Sequence, residues 1–215
     1  MINDSIIPLN TSDNAVEAMS MMDEYRVSHL PIVNEDELLG LVSEADLFEI
    51  SNLEEPIGNI KLNLTNVYVK QNQFFYDIIK LVALHKLSLI PVVDQKERYL
   101  GVITLDELVQ KFTSIAAVDQ PGGVIIFEVN ALDYYVSQIA QIVESNDAKI
   151  LSLYVNNSPD SNKLEVILKV NIMDIRPILA TFERYNYSIS MSIFDNPDED
   201  DFSLRYDSLM KYLGI

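Results

Sequence analysis

Two stretches of the chain repeat one order of apolar and polar positions about sixty residues apart. SHLPIVNEDELLGLVSEADL at 28–47 matches SLIPVVDQKERYLGVITLDEL at 88–108, at an offset of 60 that becomes 61 after one inserted residue in the polar turn. Ser28/Ser88, Pro31/Pro91, Val33/Val93, Leu39/Leu100, Gly40/Gly101 and Leu47/Leu108 are identical pairs. Ile32/Val92, Leu41/Val102, Val42/Ile103 and Ser43/Thr104 are close substitutions. A repeat of this kind sets the architecture before any single element is read. Each copy predicts the order β-α-β-β-α. Extended residues 6–9 and 67–70 lead to helices capped by Ser12 and Asn72, side chains able to take free N–H groups of a first turn. Val16, Met19 and Met22 then share one helix face, as do Phe75, Ile78, Ile79 and Val82. Residues 30–33 pair with 39–42 across NEDE, and 90–93 with 100–103 across DQKER. A second helix opens after Ser43 or Thr104 and turns Leu47 or Leu108 inward. A unit this small closes no core alone, so two packed sheet to sheet are expected.

The pattern changes after AAVDQPGG at 116–123, a stretch whose Pro-Gly-Gly ending predicts a linker. Beyond it the order reads β-α-β-β-α-β. Residues 124–129 form a strand, and a helix over 134–144 carries Val136, Ile139, Ala140 and Val143 at helical spacing. Strands at 150–155 and 164–170 flank the turn NNSPDSN. A second helix presents Ile175, Ile178, Leu179 and Phe182, with Pro177 in its first turn, where a missing N–H is tolerated. The last strand alternates Tyr187, Ile189, Met191 and Ile193 with serines. The acidic run at 195–201 reads as a solvated linker. The tail at 202–213, with Leu204, Leu209, Met210 and Leu213, reads as a short helix.

Composition narrows the function. The 215 residues contain no cysteine, which removes disulfides and thiolate metal sites. The first residues lack the pattern of a signal peptide, and no run of 18 apolar residues occurs, so a cytoplasmic protein without a membrane segment is expected. The net charge of −18 argues against nucleic acid and anionic lipid. It is unevenly spread: residues 1–60 carry −12, with Arg26 as their one base, and residues 61–120 carry +1. No nucleophile elbow, zinc-protease, Walker or dinucleotide motif is present, so no enzyme is expected.

The doubled run h-P-h-V … G-h-h-[ST]-x-x-[DE] resembles the CBS domain, and two in tandem resemble a Bateman module, over roughly residues 5–115. The resemblance implies an α+β fold with CBS repeats at 1–60 and 61–115. In that family the Asp of the run accepts from ribose hydroxyls and the Ser or Thr lies near a phosphate. A carboxylate suits a vicinal diol and a helix N-terminus favours an anion. The adenosine-type ligand set so implied is Val27, His29, Pro31, Ser43 and Asp46 in the first repeat. In the second it is Leu89, Pro91, Thr104 and Glu107, the last one methylene longer than Asp. The apolar slot runs over 27–31 and 87–91 and includes Leu30, Leu87 and Ile90. Arg26 and Lys86 are phosphate candidates, with His85, Lys61, Lys70 and Lys111 as further cations. Ser43, Asp46 and Thr104 read equally as helix caps, His29 as a structural residue, and the apolar positions as core. The implied ligands are AMP, ADP, ATP or S-adenosylmethionine, the last favoured where acidic surroundings repel phosphates. The β-α-β-β-α-β order at 124–195 resembles the ferredoxin-like ACT domain, though Asn130–Asp133 contains no glycine. With the 196–215 tail, the whole order is similar to proteins of the acetoin-utilisation type. The implied role is a non-catalytic regulatory module, homodimeric and acting on an unidentified partner. The alternative is a ligand-free dimerisation scaffold.

Overall fold

Hydrophobic alternation becomes a shared core in the N-terminal half of the computed structural model, which describes residues 2–60, 64–157, 162–193 and 210. The chain divides into two units, Met1–Lys111 and Phe112–Ile215. In the first, α1 (Ala15–Tyr25) precedes the antiparallel pair β1 (His29–Asn34) and β2 (Glu37–Ser43), followed by α2 (Glu44–Phe48). The second repeat has β3 (Val69–Lys70), α3 (Phe75–His85), β4 (Leu89–Val93), β5 (Tyr99–Thr104) and α4 (Leu105–Ile115). The division between units falls inside α4. Both ladders carry a register shift at the same place, Ile32/Val33 and Val92/Val93. Leu9, Leu30, Leu41, Leu47, Leu89 and Ile90 are fully buried in one cluster drawn from both repeats. Each such side chain contributes about 1.5–3 kcal/mol of burial.

The repeats also exchange backbone. Asn3 pairs with Val102 of the second repeat, by N–H···O contacts of 2.7 and 3.0 Å. Thr65, which precedes the second repeat, pairs with Leu41 of the first at 2.9 and 3.0 Å. These crossings explain the repeated glycine. Gly101 (φ +142°) would place a Cβ 2.6 Å from the Asn3 carbonyl oxygen, and Gly40 (φ +149°) would place one 2.9 Å from the Leu64 Cβ. Only glycine combines that φ with so close an approach.

In the second unit, β6 (Val124–Asn130), α5 (Val136–Glu144), β7 (Ile150–Asn157), β8 (Lys163–Val170), α6 (Arg176–Arg184) and β9 (Ser188–Ile193) follow in the expected β-α-β-β-α-β order. The sheet is antiparallel throughout, in the order β7-β8-β6-β9. Ile139, Ile142, Val143, Ile178 and Phe182 from the helices bury against Ile125, Phe127, Val166 and Leu168 of the strands. Phe127, Phe182 and Tyr187 meet in a three-ring cluster with centroids 4.9–5.2 Å apart. The Tyr187 hydroxyl reaches Gln138 Oε1 at 2.7 Å.

Several local expectations are corrected. Residues 6–9 form no strand; only Leu9 bridges, to Ile32 in parallel. The cap of α1 is Asn14, which closes a reciprocal box with Glu17, so the helix starts later than Ser12 implies. That shift turns Val16 outward, 51% exposed, and buries Ala15, Ala18 and Met22. The cap of α3 is Phe74 without a side-chain bond, while Asn72 accepts from Gln95 instead. In α5 the later start at Val136 leaves that residue half exposed and brings Ile142 inward. Segment 116–123 holds buried Ala116 and Ala117, and Lys169 of β8 donates to the Ala117 carbonyl. The expected C-terminal helix lies outside the described residues except for Met210.

Candidate functional site

The Ser/Thr-x-x-Asp/Glu positions form the same closed arrangement in both repeats. Ser43 Oγ donates to Asp46 Oδ2 at 2.5 Å, Ser43 N–H donates to the same oxygen at 2.9 Å, and Asp46 N–H donates to Ser43 Oγ at 3.1 Å. Thr104 and Glu107 repeat these three contacts at 3.0, 2.9 and 3.2 Å through Oε2. Each is a reciprocal capping box, which places two otherwise orphaned N–H donors. The longer Glu107 therefore reaches its cap as well as Asp46 does. Asp46 Oδ1 carries no hydrogen bond among the described residues. The helices behind the boxes differ, since α2 has five residues and α4 eleven. A single turn sums few peptide dipoles, so the attraction for an anion is weaker at α2.

A second tie links each box to the chain leaving the preceding helix. Glu44 N–H donates to the Ser28 carbonyl and Leu105 N–H to the Ser88 carbonyl, both at 2.9 Å. Two residues earlier stand Arg26 and Lys86, at equivalent left-handed caps of α1 and α3 with φ 55° and 52°. Glycine is the usual occupant of that conformation, and an L-residue there costs about 1–2 kcal/mol. Both cations are exposed and neither has an ion pair among the described residues.

His29 holds the seam between repeats. Ser28 N–H donates to Ser88 Oγ at 3.0 Å, and Ser88 N–H donates to His29 Nδ1 at 3.3 Å. Both serine hydroxyls lie 3.1 Å from the same nitrogen. Since a backbone N–H can only donate, Nδ1 is an acceptor and the ring proton sits on Nε2. Burial draws the imidazole below its ordinary 6.5, and the Asp46 carboxylate partly offsets this. At the matching ladder position, opposite Thr104 as His29 is opposite Ser43, the second repeat has Leu89. The serines of this seam were visible as a repeated pair, yet nothing local marked them as meeting across the repeats.

The slot positions divide by exposure. Val27, Ser28, His29 and Ser88 are partly exposed, whereas Leu30, Pro31, Leu87, Leu89, Ile90 and Pro91 are buried. His85 ends α3, Lys70 stands 4.0 Å from Glu97, Lys111 is exposed on α4, and Lys61 lies outside the described residues. A cleft of about 530 Å³ lies at the other end of the ladders, between the hairpin turns, and is lined by Glu35, Asp36, Asn66, Tyr68, Lys96 and Arg98. None of the candidate residues lines it. Among the described residues no acidic or His group is placed to hold a metal ion, and no helix is long and apolar enough to cross a membrane.

The doubled α-β-β-α order, with β3 leading the second copy, agrees with the family comparison: residues 1–52 and 60–114 each match the CBS domain. The N-terminal half of the chain is a tandem CBS pair. Among relatives, the chain is similar to inosine-5'-monophosphate dehydrogenase of Methanocaldococcus jannaschii, 28% identical over 123 residues, which is 56% of this chain and 25% of that protein. The match spans a quarter or less of the length of the dehydrogenase relatives and of a homoserine O-acetyltransferase relative. Among solved structures, it is similar to a CBS domain pair/ACT domain protein of Thermotoga maritima, with TM-score 0.47, 20% identity, and coverage of 52% of this chain and 91% of that one. It is also similar to CBSX2, solved in complex with AMP, with TM-score 0.46, 21% identity, and coverage of 54% and 93%.

Proposed function

We propose that the chain is a non-catalytic regulatory module whose CBS pair senses an adenosine-containing small molecule, an adenine nucleotide or S-adenosylmethionine. The observation that carries this reading is the pair of strained cations. Arg26 and Lys86 occupy a conformation that glycine would take without cost, in both repeats, two residues from a carbonyl bonded to the following helix. Exposed at matched places and without an ion pair among the described residues, the two cations can each meet an anionic group. Asp46 Oδ1 and the half-exposed His29 supply an acceptor and a donor beside it for a ribose or purine edge. Pro31, Leu89 and Pro91 back this surface from the core. Glu107 and Thr104 repeat the arrangement over a longer helix, in a half of the chain with less negative charge.

The chain works as a homodimer on a regulated protein that the sequence does not name, with the 124–195 unit as an ACT-like pairing domain. The rival reading is a ligand-free scaffold, favoured by the closure of both capping boxes and the burial of Leu89, Pro31 and Pro91. Calorimetric titration with AMP, ADP, ATP and S-adenosylmethionine separates the two. Arg26→Gly and Lys86→Gly relieve the backbone strain, so their folded state is kept or strengthened. The sensor reading predicts at least a tenfold loss of affinity in one of them at unchanged or higher Tm. Silence of the unmodified chain toward all four compounds establishes the scaffold instead.

A further inference from the structure

The cleft at the turn ends of the two hairpins has walls that the backbone holds in place. Tyr99 N–H donates to the Asp36 carbonyl at 2.8 Å, and Glu37 and Arg98 form an antiparallel bridge, so the two turns are joined to each other. Asn66 and Tyr68 enter the wall from the segment that Thr65 fixes to Leu41. The second turn is tightened by Asp94, whose buried carboxylate accepts from Lys96 N–H at 2.7 Å, Arg98 N–H at 2.9 Å and Arg98 Nε at 2.8 Å. The cleft's volume of about 530 Å³ falls within the range of small-molecule sites. Its charges are segregated by turn and unequally committed. Arg98 gives its Nε and one Nη to Asp94, and Asp36 lies close enough to favour the charged guanidinium. Glu97 faces Lys70 at 4.0 Å and the Tyr68 hydroxyl at 3.5 Å. Glu35 and Glu37 on the first turn, and Lys96 on the second, have no side-chain hydrogen bond or ion pair among the described residues.

We infer that this cleft binds a free amino acid with a cationic side chain, its two positive groups toward Glu35 and Glu37 and its carboxylate toward Lys96. The uncommitted charges of the walls are two carboxylates and one ammonium, and a basic amino acid carries the complement, two cations and one anion. An amino acid with an uncharged side chain leaves one glutamate without a counterion, and a diamine leaves Lys96 without one. A phosphate-bearing ligand meets four lining carboxylates, at Glu35, Asp36, Glu37 and Glu97, against the two cations Lys96 and Arg98. A bare divalent ion needs several oxygens converging on one point, and no such group of acids occurs among the described residues. The site is separate from the adenosine-type one, since none of the residues of that reading lines it.

The test titrates the full, isotopically labelled chain with arginine and with lysine at fixed ionic strength and follows the backbone amides. Norleucine, glutamate, 1,4-diaminobutane and magnesium chloride are titrated in parallel. The inference predicts saturable shifts grouped at residues 34–38 and 96–98 with a basic amino acid, at an affinity roughly tenfold or more above that of norleucine or the diamine. Glu35→Gln combined with Glu37→Gln should weaken the basic amino acid by roughly tenfold or more. Lys96→Gln should weaken it as well and leave the diamine unchanged. These three side chains are exposed, so the variants keep the fold, which unshifted amides in the rest of the spectrum verify. No saturable shift with either basic amino acid overturns the inference. Equal affinity for the diamine, insensitive to Lys96→Gln, reduces the cleft to a surface that attracts cations and does the same. Shifts at these residues with magnesium chloride as strong as with arginine, or shifts with arginine grouped in residues 124–193, also overturn it.

Discussion

The two CBS repeats share their local rules and differ in what those rules support. Both close an identical box, at Ser43/Asp46 and Thr104/Glu107, and both hold a cation at a left-handed helix end. Behind the first box stands one turn of helix, an acidic repeat and His29 locked to the Ser88 amide. Behind the second stands an eleven-residue helix, a nearly neutral repeat and Leu89. Short-range chemistry has thus been kept while the field around it has diverged. In the sensor reading this makes the sites unequal: the first suits a ligand with little negative charge, the second one with phosphate.

The sharpest way to break the comparison is at the glycines. Gly101→Ala drives a methyl to 2.6 Å from the Asn3 backbone oxygen, whereas Gly40→Ala brings one to 2.9 Å from the Leu64 Cβ, a less severe overlap. Urea unfolding should show a loss of roughly 3–4 kcal/mol for the first and roughly half that for the second. Equal losses would mean the two exchanged segments are equally pliable. Next come the boxes: Ser43→Ala and Thr104→Ala should each cost about 1 kcal/mol in the same assay, because each removes one reciprocal cap.

The pH response sharpens the difference further. His29 is drawn below its ordinary 6.5 in the fold. As pH falls under that value the unfolded chain takes up a proton that the native imidazole refuses, so stability drops until the native pKa is reached. His29→Leu, copying the second repeat, should remove this acid sensitivity from the Tm profile between pH 7 and 5, estimated as roughly the range where a histidine titrates. An unchanged profile would show that the seam does not depend on the Nδ1 acceptor. The smallest effect belongs to Tyr99, whose buried hydroxyl has no hydrogen-bond partner among the described residues and whose phenol is pushed up by burial. Tyr99→Phe should leave stability unchanged or raise it by about 1 kcal/mol. A clear loss would point to a partner for that hydroxyl.

The repeat itself, both hairpins and the caps at Ser43, Asp46 and Thr104 were legible because each is encoded within a few residues, whereas the part of Glu107 in closing the second box was not read. The alternation of β4 and β5 and the [ST]-x-x-[DE] spacing are local rules. The crossings of Asn3 to Val102 and Thr65 to Leu41 were not legible, since a single bridged residue leaves no periodicity to read. The helix caps slipped for a related reason. Ser12 and Asn72 are good cap types, but Asn14 has Glu17 at the reciprocal position, and at α3 the side chains of Asn72 and Gln73 are used elsewhere. His29 could be read only as a ligand contact or a structural residue, because its partner lies 59 positions away.

The account is tested most directly by adding AMP and S-adenosylmethionine to the isotopically labelled chain and following its backbone amides by NMR. It predicts saturable shifts grouped at Arg26, Ser28, His29, Ser43 and Asp46, reached by S-adenosylmethionine at lower concentration than the shifts at Lys86, Ser88, Thr104 and Glu107. Spectra that stay unchanged with both compounds, or shifts confined to the hairpin-turn cleft around Asp36 and Arg98, would contradict it.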